Sequence, residues 1–274
     1  MNNSLDSELP FAAGTLIDNR YEIVGELSKG DQGTVYEVRD QALNNETIAL
    51  KVLYPHLIAD AALLARLGHE LQFARRLGHP NIVSVFDAGV ADDRFPYVTM
   101  ELFHGESLAE RLRQGPLPLE DILHILVQVC HGLSAAHQMG IVHRDLRPAH
   151  ILLDSEDNVK IGGFYLARRF PLEAGLDGED WIKQIHAEYY KAPEQFQSAI
   201  VDPRVDIYAL GIIAFEMLSG EKPFVSTDSV RLAEMHFSEP LPKLAPLRHD
   251  VPPWLEKLVQ KCANKNPDQR CPGA

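Results

Sequence analysis

The sequence predicts an α+β fold, and three observations carry that expectation. Short alternating or β-branched runs dominate residues 21–101, as half-buried strands require. Long 3.6-period apolar stripes dominate the remainder of the chain. The chain has 274 residues, enough for one large domain or two lobes sharing a cleft.

Taken in order, Met1 to Leu16 reads as a flexible leader and 17–274 as the folded domain. Strands are expected at Tyr21–Leu27, Thr34–Val38, Glu46–Leu53, Ile82–Asp87 and Phe95–Glu101, forming a five-stranded antiparallel sheet. One main helix interrupts them at Asp60–Leu77, where Leu63, Leu64, Leu67, Leu71, Ala74 and Leu77 make a stripe. A short helix at Ser107–Arg113 precedes a long one at Leu119–Met139, with Ile122, Leu126, Val129, Leu133 and Ala136 on one face. Ile151–Leu153 and Asn158–Ile161 read as two further strands. Ile207–Leu218 is apolar enough for a buried helix. It is broken by Glu216 and too short to span a bilayer.

Composition narrows the function classes. Net charge is −13, which argues against nucleic-acid binding and against docking on anionic lipid. Cys130, Cys262 and Cys271 form no CxxC and are odd in number, so a reducing, cytoplasmic setting is the simplest reading. The first residues lack the basic start and apolar run of a signal peptide.

The segment that carries chemistry is His143-Arg144-Asp145-Leu146-Arg147-Pro148-Ala149-His150, set between an apolar helix and an apolar strand. A loop held by two buried elements can fix an aspartate where a general base is needed. Ser28-Lys29-Gly30-Asp31-Gln32-Gly33-Thr34-Val35 is a Gly-rich hairpin, and Ile48-Ala49-Leu50-Lys51 puts a cation on an apolar strand. Further on stand Ala192-Pro193-Glu194, Asp206-Ile207-Tyr208-Ala209-Leu210-Gly211 and Asn266-Pro267-Asp268-Gln269-Arg270.

Together and in this order, from Tyr21 to Arg270, these segments resemble the protein kinase superfamily, and most closely its bacterial Ser/Thr kinase group. The resemblance implies a bilobal fold, with a first lobe over 17–103, a second over 104–274 and the closing C-terminal helix truncated. It implies Asp145 at the catalytic aspartate and Arg147 in place of the lysine that steadies the γ-phosphate. Nucleotide contacts fall on Ser28, Gly30, Gly33, Val35, Ala49, Lys51, Met100 as gatekeeper, Glu101 to Phe103 as hinge, and Leu152, with Glu70 pairing Lys51. Arg144, Glu194, Asp206 and Arg270 are implied as structural, with Glu194 and Arg270 paired and Asp206 bracing the catalytic loop.

Four departures bear on activity. His150 stands where the family has a metal-binding Asn, and Gly163 where it has the Asp of Asp-Phe-Gly. Magnesium needs hard oxygen ligands, so its binding is doubtful and the metal positions read as degenerate. Ser28 replaces the first glycine of the phosphate loop. Ala187 replaces a substrate-loop Thr, and Gly163 to Glu194 holds no Ser or Thr to phosphorylate, so Arg144 has no phosphate to meet there. Five acids, Glu173, Asp177, Glu179, Asp180 and Glu188, are candidate permanent partners for Arg144.

The resemblance and its departures lead to a pseudokinase: a signalling module that binds protein partners and takes ATP, if at all, without metal. Two alternatives stay open, a working ATP-dependent Ser/Thr kinase with an unorthodox metal site and a metal-independent nucleotide sensor.

Overall fold

The computed structural model describes residues 11–55, 74–92, 94–164, 168–169 (backbone only), 188–197 and 202–274. Alternation builds the first lobe. Strands β1 (Leu16–Ile17), β2 (Tyr21–Lys29), β3 (Gly33–Asp40), β4 (Glu46–Leu53), β5 (Val85–Ala91) and β6 (Phe95–Met100) form one antiparallel sheet in the order β1-β2-β3-β4-β6-β5. Ile23, Tyr36, Val38, Ile48, Leu50, Val52 and Tyr97 fill one apolar cluster beneath it.

Two sequence expectations change here. The folded domain starts before residue 17: Phe11 is buried, with edge-on contacts to Tyr36 and Phe95. Thr15 accepts from the Ile23 N–H, and Leu16–Ile17 adds a sixth strand to the expected five. A single aromatic after a polar run gives no period to read, so this packing was not visible. The strand expected at Ile82–Asp87 begins at Val85 instead, because Ile82 bridges in parallel to Ile161 at the top of the second lobe. The main helix expected at Asp60–Leu77 lies largely outside the described residues, as do Glu70, Ala187, Glu173, Asp177, Glu179 and Asp180.

The second lobe is helical. Helix α1 (Leu108–Arg113) opens with a capping box, Ser107 and Glu110 satisfying each other's N–H groups. Helix α2 (Leu119–Gln138) buries Ile122, Ile125, Val129, Leu133 and Ala136; Leu126 is only partly buried. Helix α3 (Arg204–Ser219) is buried from Val205 to Leu218, as its all-round apolar sequence demands, and stops at Gly220 in a left-handed cap. Helices α4 (Ser229–Ser238) and α5 (Pro253–Cys262) follow. Among the described residues no helix is long and apolar enough to cross a membrane.

Short strands hold the functional loop. These are β7 (Glu106–Ser107), β8 (Ile141–Val142), β9 (Ile151–Leu153), β10 (Val159–Ile161) and β11 (Arg168–Arg169). β9 pairs with β10 and β7, and β8 pairs with β11. Residues 143–150 run between β8 and β9, so both ends of that loop are fixed in the core. The three thiols are free; the Cys262 and Cys271 sulfurs lie 3.7 Å apart.

Candidate active site

The loop is braced from below by one buried acid. Asp206, 1% exposed at the start of α3, accepts from the His143 and Arg144 backbone N–H groups, both at 2.8 Å, and meets His137 Nε2 at 2.8 Å. Burial works to raise its pKa, yet the hydrogen bonds and the nearby His137 and His143 charges hold it below the ordinary carboxylate range. Arg144 takes φ +69°, a left-handed turn that a non-glycine residue adopts only when its surroundings enforce it. Its carbonyl accepts from Gln195 Nε2 at 2.9 Å.

A second brace closes the lower lobe. Arg270 donates to both oxygens of Glu194, at 2.6 and 2.8 Å, with its side chain fully buried. It also donates to the Asn264, Arg204 and Lys265 carbonyls, so its donor fork is well used.

Asp145 lies on the upper side of the loop, 5% exposed. Oδ2 accepts from Gln32 Nε2 at 3.0 Å, while Oδ1 has no hydrogen bond among the described residues. Burial raises its pKa, and the Arg147 and His143 charges with the Gln32 bond only partly oppose that. His150 is also buried. Its Nδ1 lies 2.8 Å from the Asp145 carbonyl oxygen, so the N–H is placed there to donate. Burial first, then the Arg147, His143 and Lys51 charges, drive its pKa well below the ordinary value. The imidazole is therefore neutral, and its 3.6 Å approach to Asp145 Oδ2 is no ion pair.

The two altered metal positions touch each other. Gly163 sits at φ +88°, and a Cβ built there would meet the His150 ring at 3.0 to 3.2 Å. The imidazole fills space that a side chain at 163 would need. Phe164, next along, is buried with its ring 4.6 Å from that of His143, whose Nε2 bonds the Gly162 carbonyl at 2.8 Å. Hard oxygen donors are thus missing from both places the resemblance assigns to metal. Among the described residues no group of three His, Cys, Asp or Glu side chains is arranged to hold an ion. This donor set does not fit magnesium.

The upper wall is the hairpin. Ser28, Val35 and Lys51 are register partners across β2, β3 and β4, and Ala49 is opposite Met100 on β6. Leu152 stands on β9 in the lower lobe, half-buried like Val35 and Met100. At the hinge, the Glu101 N–H donates to Ser84, and the Glu101 carboxylate pairs with Lys160 at 2.8 Å. Among the described residues nothing takes the Glu101 carbonyl or the Phe103 N–H, the backbone groups a flat heterocycle would use. Gly33 has a packing reason to be glycine: a Cβ there would lie 2.0 Å from the Val52 carbonyl oxygen. Gly30 has no such crowding.

Sequence reasoning missed the hairpin tip. Gln32 is buried, accepting from Lys51 Nζ at 3.1 Å while it donates to Asp145. Asp31 accepts from both terminal nitrogens of Arg147, at 2.7 and 2.8 Å. The only signal in the sequence was an acid and an amide between two glycines.

A buried aspartate on a braced loop, a strand lysine above it and an open-edged hinge is the constellation of one family. The family model of the protein kinase domain matches residues 21–273. The chain belongs to the protein kinase family. Curated relatives include serine/threonine-protein kinase PknB of Mycolicibacterium smegmatis, 35% identical over 260 residues, which cover 93% of this chain and 41% of that protein. Serine/threonine-protein kinase PrkC of Bacillus subtilis is 34% identical over 94% of this chain and 39% of its own length. Serine/threonine-protein kinase PknL of Mycobacterium tuberculosis is 33% identical over 93% of this chain and 63% of its own. The chain therefore spans only part of the curated relatives it matches. The kinase fold and the bacterial Ser/Thr kinase relationship follow from these matches.

Proposed function

We propose that this kinase-fold chain is a pseudokinase: a cytoplasmic signalling module with little or no phosphoryl transfer that acts by binding protein partners. The observation that carries this reading is the mutual fit of His150 and Gly163, because the space of one lost ligand is filled by the replacement of the other. Phosphoryl transfer depends on charge neutralisation by metal and cations. Losing two ligands should remove several kcal/mol of transition-state stabilisation, roughly a few powers of ten in rate. Adenine nucleotides remain candidate ligands in this reading, held without metal between Val35, Ala49, Met100 and Leu152 with Lys51 near the phosphates. Arg147 and Asp145 keep their places as a degenerate catalytic pair.

The test is a transfer assay with magnesium and ATP, on the chain itself and on generic protein substrates, against an Asp145→Asn control. Equal background in both supports the reading; transfer well above the control overturns it. A second reading, an active Ser/Thr protein kinase, is favoured by one feature: the buried Asp145 Oδ1 that no described residue satisfies. Nucleotide binding that strictly requires magnesium would favour that second reading.

A further inference from the structure

The tip of the Gly-rich hairpin turns one side chain inward, while Gly30 and Asp31 beside it stay exposed. Gln32 is 4% exposed, although a hairpin tip is normally the most exposed part of a sheet. Its burial has a cause: the amide bridges Lys51 in the upper lobe to Asp145 in the lower. Beside it, Asp31 engages the Arg147 guanidinium through two parallel hydrogen bonds. Fork geometry of this kind suits carboxylate and phosphate oxygens alike. Burial works to raise the Asp31 pKa, but the Arg147 bonds and charge outweigh it, so the carboxylate stays ionised at neutral pH.

The order of groups along the cleft decides what this contact does. The hinge follows β6, where Met100 faces Ala49. Lys51 is two residues along β4 from Ala49, about 7 Å further. Gln32 links Lys51 to Asp145, and Arg147 Nε lies 3.7 Å from Asp145 Oδ2. A ligand anchored at the hinge therefore reaches Lys51 first and Arg147 last. Only the far end of a long phosphate chain needs the guanidinium, and Asp31 already holds it.

We propose that Asp31 is a specificity-determining residue, a tethered carboxylate standing in for the terminal phosphate on Arg147, so that the cleft selects an adenine nucleoside or nucleoside diphosphate over the triphosphate. This rests on the adenine-binding reading above. Being part of the chain, Asp31 competes at a high effective concentration that no free ligand matches. Its negative charge also repels an incoming γ-phosphate.

The experiment measures adenosine, ADP, ATP and inorganic tripolyphosphate by calorimetry with a chelator present, on the full chain. Asp31→Asn is nearly isosteric, and its melting temperature checks folding. In the unsubstituted protein ADP binds at least as tightly as ATP. In Asp31→Asn the ATP affinity rises roughly five- to tenfold, about the worth of one charge-assisted contact, and adenosine is unchanged. Adding Arg147→Ala to Asp31→Asn removes the gain. Equal gains for adenosine and ATP would mean the loop merely opens, and would overturn the proposal. So would the absence of any gain for both ATP and tripolyphosphate. If tripolyphosphate gains on Asp31→Asn while neither adenosine nor ADP binds either protein, Asp31 keeps the assigned role and the adenine reading fails.

Discussion

The two ends of the loop at 143–150 have been treated differently. Its start is held by the acid the family pattern places there: Asp206 takes two backbone N–H groups and His137. Its end carries protein contacts at the positions where the family pattern has metal ligands, with His150 packed on Gly163 and Arg147 paired to Asp31. Charges that hold the fold keep their partners; at the other end Arg147 is taken by Asp31, while Asp145 Oδ1 stays without a hydrogen bond among the described residues. Folding and phosphoryl transfer draw on separate groups in one short loop, and one set can change while the other stays.

The largest effect should come from breaking the braces. Asp206→Ala removes a buried acceptor and strands two backbone donors, and Arg270→Ala leaves Glu194 without its partner. Removing one member of a buried charged set costs about 3–5 kcal/mol. Denaturant titration should show that loss for each, with the cost at Arg270 nearer the lower figure because Glu194 is 23% exposed. A melting temperature unchanged by Arg270→Ala would show that this pair is solvated and braces nothing.

The metal end gives the next effect, and its pattern matters more than its size. Gly163→Asp alone puts a Cβ at φ +88° against the His150 ring, so a loss of roughly 1–3 kcal/mol is expected. Combined with His150→Asn, which shortens the opposing side chain, part of that loss should be recovered. A double-mutant cycle on thermal stability reads the coupling directly. Additive losses would mean the two positions changed independently, which would weaken the case that the site has been refilled.

How much of this was legible depends on sequence separation. The braces could be read because each lies in a short pattern: His-Arg-Asp, Ala-Pro-Glu, and the acid opening an apolar helix. The losses at His150 and Gly163 were equally visible, but their mutual fit was not, since it depends on ring placement and a positive φ. The hairpin tip lay beyond reach. Asp31 and Arg147 are 116 residues apart, and neither a lone acid in a turn nor a lone arginine in a loop announces its partner. Phe11 was missed for a related reason, because one aromatic has no period. In each case the information is in the packing of distant residues.

A pH titration separates the lower-lobe core from the loop. His236 is fully buried beside Lys265 and Tyr208, and burial pushes its pKa down to about 3. The unfolded chain takes up that proton near its ordinary value, so between the two values the unfolded state binds more protons. Stability should fall as pH drops from 6.5 toward 3, by about 1.4 kcal/mol per pH unit at most. Asp145, raised by burial, acts in the opposite sense, because the folded state then holds the extra proton above the unfolded value. Replacing His236 with Asn should flatten the acid limb, and Asp145→Asn should steepen it. Parallel curves for all three proteins would contradict the assignment.

The smallest stability effect should come from Gly30→Ala, and it bears on what the hairpin is for. Gly33 is held against the Val52 backbone, so its replacement should disturb the sheet whether or not a ligand binds. Among the described residues a methyl added at Gly30 would have only the Gly33 carbonyl near it, at 3.9 Å, and the residue has no positive φ. Gly30→Ala should therefore change unfolding stability by no more than about 0.5 kcal/mol. If phosphates rest on this backbone, the methyl should still weaken ADP binding severalfold while leaving adenosine alone, since only the phosphates approach the tip. An unaltered ADP affinity would make the hairpin a strap across the loop rather than a phosphate cover. The upper lobe would then join the braces as structure alone.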